Sequence, residues 1–383
     1  MSFDDLRLDD LRRRRSEKWT RYGPDVLPLF VAEMDFPLAE PIRRAVHELI
    51  DRGDTGYPAG RAHDEAFARF AERRFGWSLD PALVSTVPEV MTGVEFAISQ
   101  LTEPGDPIAF FTPAYPPFFI AVETTTRRVV AGVPLAGDAQ HGWTIDGDAL
   151  DRTLGAGAKA ILLCNPHNPT GRRFTRDELM VVARLADHHG VPVICDEIHS
   201  TLILDRPAGE HLPFASLDAE SAAGSVCLHS ASKGWNVAGL KAALLVAGSP
   251  DRHASLDARS LAELEERAGI AGVAAGIAAF DEGESWLDDV VDYVAANQRF
   301  VQDAIPEALP GAKVTRAEAT YLAWLDLRAA GLEGEPADVL LEQARVALMR
   351  GPDFGEQYTG FARMNLATSR PILEQAVSRI LDV

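Results

Sequence analysis

The chain has 383 residues, 46% of them apolar and 25% charged, with a formal net charge of −20. That length favours two domains of ordinary size over one, and the composition is that of a soluble globular enzyme, not of a disordered or fibrous chain. The acidic balance repels nucleic acid and anionic membrane surfaces, so the short basic run at residues 12–15 is expected to be a solvated helix face.

The first residues, MSFDDLRLDDLRRRR, lack the apolar stretch of a secretory signal, and a cytoplasmic protein is expected. Between residues 80 and 250 short apolar runs alternate with amphipathic stretches, the pattern of a βαβ sheet protein. An apolar helix is expected to open at Val90 and run through Ile98. Residues 158–165 (AKAILLCN) read as a strand bounded by the turn at 166–171. A helix follows over 175–189, with Thr175 and Glu178 at capping-box spacing and Gly190 as its stop. Residues 191–198 (VPVICDEI) supply a second strand, and a parallel pair with a crossover helix is the natural outcome. The run 225–230 (SVCLHS) leads into Ala231, Ser232 and Lys233, and 242–247 gives a further strand.

Cys164, Cys195 and Cys227 each sit inside such a run without Cys-x-x-Cys spacing, so they are expected to be buried and reduced. Residues 268–280 (AGIAGVAAGIAAF) fall short of the roughly 20 apolar residues of a membrane helix and read as a helix packed closely on a neighbour. Beyond residue 282 a long helical stretch (286–304), a strand-like run (319–327) and a helix after Pro371 suggest a second, α+β domain. The expected division is 1–45 as a segment joining the small domain, 46–281 as a large domain built on a mostly parallel sheet, and 282–383 as the small domain.

Asn168, Asp196 and Lys233 fall at or just beyond the C-terminal ends of successive expected strands, the edge where open α/β sheets bind ligands. The chain has only five lysines, at 18, 159, 233, 241 and 313. Lys18 lies in a charged N-terminal segment, Lys159 at the solvent end of a strand, and Lys313 in a Pro-Gly turn. Lys233, with Lys241 as a neighbour, sits beside small and hydroxyl residues at a strand end, where desolvation lowers an amine toward a nucleophilic range.

Several blocks carry a resemblance: Ser230-x-Ser232-Lys233 with Asn236, residues 165–171 (NPHNPTG), residues 196–199 (DEIH), and Arg363 within FARMN. They resemble the fold-type I pyridoxal-phosphate enzymes of the class I/II aminotransferase group. Residues 31–36 (VAEMDF), 56–58 (GYP), 112–115 (TPAY) and 320–326 (TYLAWLD), with the histidine of DEIH, are most similar to the MalY/PatB-type cystathionine β-lyases. The blocks run in order from about residue 18 to residue 370.

The resemblance implies pyridoxal 5′-phosphate as cofactor, no metal, and a PLP-dependent transferase-like fold. Lys233 would carry the cofactor as a Schiff base and act as the Cα base, with Tyr115 and Tyr57 counted among the catalytic residues. Asp196 would face the pyridine nitrogen. Asn168 would bind the phenolic oxygen and help hold substrate. His199 would also bind that oxygen, or else be a structural histidine; the two readings stand side by side. Tyr115 would stack on the ring. Val90, Met91, Thr92, Ser230, Ser232 and Lys241 would hold the phosphate, Lys241 standing where related aminotransferases place an arginine. Glu89 is an awkward neighbour for a phosphate unless it points away. Arg363 would clamp the substrate α-carboxylate. Tyr57 would reach the phosphate of a neighbouring subunit, implying a homodimer with shared sites, and neither nucleic acid nor membrane is expected as a partner. The implied activity is β-elimination from a cysteine thioether, releasing pyruvate, ammonia and a thiol. An aminotransferase using the same residues is the alternative, and a regulatory role that binds the cofactor and a partner is a third reading.

Overall fold

The apolar runs in the middle of the chain assemble into one seven-stranded sheet in the computed structural model, which describes residues 3–206 and 210–383. Its strands are β1 (Val84–Val87), β2 (Pro107–Thr112), β3 (Val129–Pro134), β4 (Ala160–Cys164), β5 (Val193–Asp196), β6 (Val226–His229) and β7 (Ala243–Ala247). They lie in the order β1-β7-β6-β5-β4-β2-β3. Only β7 runs against its neighbours. The chain turns at the end of β6 and re-enters from that same edge, which reverses β7. Every residue of β4 to β7 is buried, as a strand covered on both faces requires. Alternate side chains feed two separate cores: Ile161, Leu163, Cys195 and Cys227 lie on one face, and Leu162, Ile194, Leu228 and Leu245 on the other.

Helices pack on this sheet and, in the C-terminal part of the chain, on one another. They are α1 (Ala62–Phe75), α2 (Val90–Leu101), α3 (Arg176–His189), α4 (Ala231–Gly234), α5 (Ile270–Glu282), α6 (Glu284–Ala308) and α7 (Arg370–Leu381). The α3 start carries the expected capping box between Thr175 and Glu178, and Gly190 ends the helix in the left-handed region at φ 64°. Helix α2 lies close on the sheet because Gly93 has no side chain: a Cβ there would stand 2.4 Å from Leu228 Cδ1.

A second sheet is antiparallel: β8 (Lys313–Val314), β9 (Leu322–Asp326), β10 (Met349–Arg350) and β11 (Phe361–Asn365), ordered β8-β9-β11-β10. The strand expected over 319–327 starts only at Leu322, because Thr320 takes φ 70° and breaks the extended run. The N-terminal part of the chain reaches the C-terminal part, where Leu27–Pro28 pairs in parallel with Val346–Ala347. Cys164, Cys195 and Cys227 are free and buried. Lys18, read from sequence as part of a charged segment, is fully buried, with Nζ 2.8 Å from Asp35 Oδ2.

Candidate active site

The C-terminal ends of β2, β4, β5 and β6 open on a cleft of about 720 Å3, measured with its mouth, whose walls include Tyr115, Asn168, Asp196, His199, Ser232 and Lys233. Lys233 stands in the single turn of α4, whose N-cap Ser230 accepts from the Ser232 amide at 3.0 Å. Its Nζ donates to the Ala32 carbonyl at 2.8 Å. Burial, reinforced by the nearby Arg363 cation, lowers the amine to about 8 against the opposing pull of Asp196 and Glu33. Asp196 closes β5 and is 3% exposed, with Oδ1 accepting from the Ile198 amide at 3.0 Å. Burial raises its carboxyl to about 6, although that amide, His229 and Lys233 all favour the anion.

Arg363, on β11, is buried with its guanidinium 5.1 Å above the Phe354 ring. Its Nη1 donates to Asn168 Oδ1 and its Nη2 to the Phe30 carbonyl, both at 3.0 Å, while Nε has no partner among the described residues. His199 is buried with Nδ1 unpartnered among the described residues and its ring edge-on to Tyr321 at 6.2 Å. Burial, with the Lys233 and Arg363 cations, holds it neutral down to about 3. Tyr115 follows β2, and burial raises its phenol.

At the other end of the cleft Val90 and Met91 open α2, where the first backbone amides of a helix lack intrahelical partners. The Ser230 hydroxyl is already engaged, donating to the Ala242 carbonyl at 2.8 Å. The Ser232 hydroxyl has no protein hydrogen bond among the described residues. Lys241 Nζ is 2.5 Å from Glu89 Oε2, with both side chains about half exposed. Glu89 therefore does not face a phosphate site uncompensated. Thr92 and Lys241 do not line the cleft. Tyr57 is 84% exposed and lies outside the cleft of its own chain.

Two groups in the hydrogen-bond network around Lys233 had no role assigned from sequence. One is the Ala32 carbonyl, which no residue type announces. The other is Tyr321, whose hydroxyl donates to that same carbonyl at 3.0 Å; it lies inside a family block, which was the available signal.

Each polar feature of pyridoxal phosphate meets a complementary group here. Asp196 is a buried acid for a ring N–H, His199 Nδ1 and Asn168 suit a ring oxygen, and Ser232 with the α2 amides suits a phosphate. Lys233 is an amine poised for an aldehyde, so the residues present fit this cofactor.

Comparison with known proteins decides the family, since the description "Aminotransferase class I and II" matches residues 24–380. The chain belongs to the class I and II aminotransferase family. Among its relatives, a Mycobacterium leprae protein provisionally named as a cystathionine beta-lyase is 40% identical, covering 98% of this chain and 96% of its own length. Cystathionine beta-lyase PatB of Bacillus subtilis is 34% identical with 99% of each chain covered. A Corynebacterium diphtheriae crystal structure, described provisionally as a PLP-dependent beta-cystathionase, superposes with a TM-score of 0.91 at 36% identity, covering 98% of this chain and 97% of its own. The fold is thus that of fold-type I members of the class I and II aminotransferase family.

Proposed function

We propose that this chain is a pyridoxal-phosphate-dependent carbon–sulfur β-lyase of the cystathionine β-lyase type, acting on an amino-acid thioether. The observation that carries the reading is the meeting of Lys233, Asp196 and the Arg363–Asn168 pair in one cleft, in a chain 33–40% identical over nearly its full length to proteins bearing that name. Bound in the cleft, pyridoxal phosphate supplies an electron sink that acidifies the substrate Cα–H and lets the Cβ–S bond break. The protein's own groups do the rest. Arg363, oriented by Asn168 and the Phe30 carbonyl, orients the α-carboxylate. Lys233 Nζ, partly neutral near neutral pH, accepts the Cα proton. Asp196 holds a proton at the ring nitrogen, Tyr115 walls the cleft, and Ser232 with the Val90 and Met91 amides binds the phosphate. His199 stays neutral and offers Nδ1 to the ring oxygen.

A homodimer is part of this reading, with exposed Tyr57 serving the partner's site. So are the division into 1–45, 46–281 and 282–383, which follows the separation of the two sheets, and a cytoplasmic location, supported by three unpaired cysteines. Among the described residues no helix is long and apolar enough to cross a membrane. The test is incubation of the purified holoenzyme with L-cystathionine and no keto acid. Equimolar pyruvate and homocysteine are expected. Product formation only on adding a keto acid would assign the chain to transamination instead.

A further inference from the structure

Behind the cleft, on the other face of the sheet, lies a buried charged cluster that the proposed reaction does not use. Parallel pairing sets Cys195 of β5 beside Cys227 of β6 and Asp196 beside Leu228, and the Glu197 amide continues the ladder to the Leu228 carbonyl at 2.9 Å. Side chains alternate along strands. Asp196 therefore points into the cleft, while Cys195, Glu197, Cys227 and His229 share the opposite face. Glu197 Oε1 accepts from the Phe214 amide at 2.8 Å and from Cys195 Sγ at 3.5 Å. His229 Nε2 lies 2.9 Å from Glu197 Oε2 and His211 Nε2 lies 3.3 Å from Oε1, close polar contacts without aligned N–H bonds. All three side chains are fully enclosed. Phe67 and Trp77 flank His229, and Phe75 meets His211 edge-on.

Such a cluster is a poor stabiliser, because the desolvation of buried ions rivals their mutual attraction and apolar replacements are often neutral or better. Its position suggests another use. Glu197 is the chain neighbour of Asp196, and an uncompensated anion there would press Asp196 toward the neutral acid, which cannot keep a ring nitrogen protonated. We propose that Glu197, His211 and His229 hold a shared proton, and that His229 is thereby a positioning residue that keeps Asp196 ionised across the sheet. This rests on the assignment of Asp196 to the ring nitrogen. The shifts agree in direction: against burial, the two imidazoles draw Glu197 down to about 2, and His229 is among the groups favouring the Asp196 anion. The ionisable groups that influence Asp196 are Lys233, Tyr115 and Cys164 on the cleft side and His229, Glu197 and Cys195 through the sheet. Lys233 favours the Asp196 anion from the cleft side, and under this proposal the proton held with His229 does so from the far face of the sheet.

Cys195, Glu197 and Cys227 also place ligand atoms within 4.8 Å of one another. A metal there would require two thiolates, whereas burial raises the Cys195 thiol well above its usual range.

The test follows Asp196 itself in the cofactor-free full chain labelled with [4-13C]aspartate, its signal assigned by loss in Asp196→Asn. In His229→Gln the Asp196 midpoint should rise by about one pH unit, while His188→Gln, at the exposed end of α3, leaves it unchanged. An unchanged midpoint in folded His229→Gln overturns the proposal, since a purely structural role would alter stability alone. If His229→Gln does not fold, the ring 15N shifts of the unmutated chain decide: one protonated imidazole at His211 or His229 at pH 7 supports the proposal, and two neutral rings overturn it. Stoichiometric zinc in the purified protein overturns it as well. Because the titration needs no cofactor, failure of the lyase reading and failure of this one are separately visible.

Discussion

A lysine amine attacks a carbonyl only when neutral, and a surface lysine near 10.5 is neutral less than about one time in a thousand at pH 7. Lys233, lowered to about 8 by burial at the end of β6, is neutral roughly three hundredfold more often. Its position is fixed through the Ala32 carbonyl, which also accepts from Tyr321. Asp196 is subject to the opposite pressure, since the burial that suits Lys233 raises its carboxyl to about 6. Asp196→Asn keeps the shape and removes the charge. Pyruvate release should fall by roughly a hundredfold or more, with thermal unfolding moved by no more than about 1 kcal/mol in stability. Near-normal turnover in that variant would remove Asp196 from the ring nitrogen.

The element that joins the two sheets is the segment 31–36, which carries the Ala32 carbonyl. Lys18 Nζ and Trp19 Nε1 each bond the Asp35 carboxylate at 2.8 Å. Asn236, just after α4, bonds both the amide and the carbonyl of Met34 at 2.8 Å, and Asn365 of β11 bonds the Val31 and Glu33 carbonyls at 2.6 Å. Lys18→Ala leaves Asp35 buried without its cation. It should cost about 3 to 5 kcal/mol in urea unfolding, against a small effect for the exposed Arg21→Ala; equal effects would mean that the Lys18–Asp35 pair is not a brace. This segment marks where sequence reading stopped. The α3 capping box and the apolar strands were legible because their signals are local and periodic. Asn168, Asp196 and Lys233 were legible because they punctuate strand ends. Lys18 is buried by a partner 17 positions away that follows no helix or strand period, and Asn236 and Asn365 converge on 31–36 from hundreds of positions away, mostly through backbone carbonyls that carry no residue-type signature. The Lys241–Glu89 pair was hidden for a related reason, since Glu89 lies on another element.

At the scale of the molecule, proton linkage shapes acid stability. Burial holds His63, His167 and His199 neutral down to about 4, 3 and 3, so between pH 6.5 and those values the unfolded chain binds more protons and stability falls with pH. Asp64 and Asp196, raised to about 6, bind protons preferentially in the folded chain between about 4 and 6 and oppose that loss. Below pH 4 this opposition ends, while Glu197, drawn to about 2 in the folded chain, adds to the loss. Three imidazoles against two carboxyls leave the unfolded chain ahead by about one proton, so the urea midpoint of the cofactor-free chain should decline steadily from about pH 6.5 downward; a midpoint unchanged between pH 6 and 4.5 would contradict this balance. The dimer reading is tested by mixing Tyr57→Ala and Lys233→Ala chains, each inactive alone. Heterodimers contain one site with both residues intact, so lyase activity should return on subunit exchange, and exchange proven by mass without recovered activity would return Tyr57 to its own chain. The most direct measurement of all is borohydride reduction of the yellow holoenzyme followed by peptide mass spectrometry. The reduced pyridoxyl mass is expected on the peptide containing Lys233, and recovery of that mass on Lys18, Lys159, Lys241 or Lys313 would contradict the assignment of Lys233.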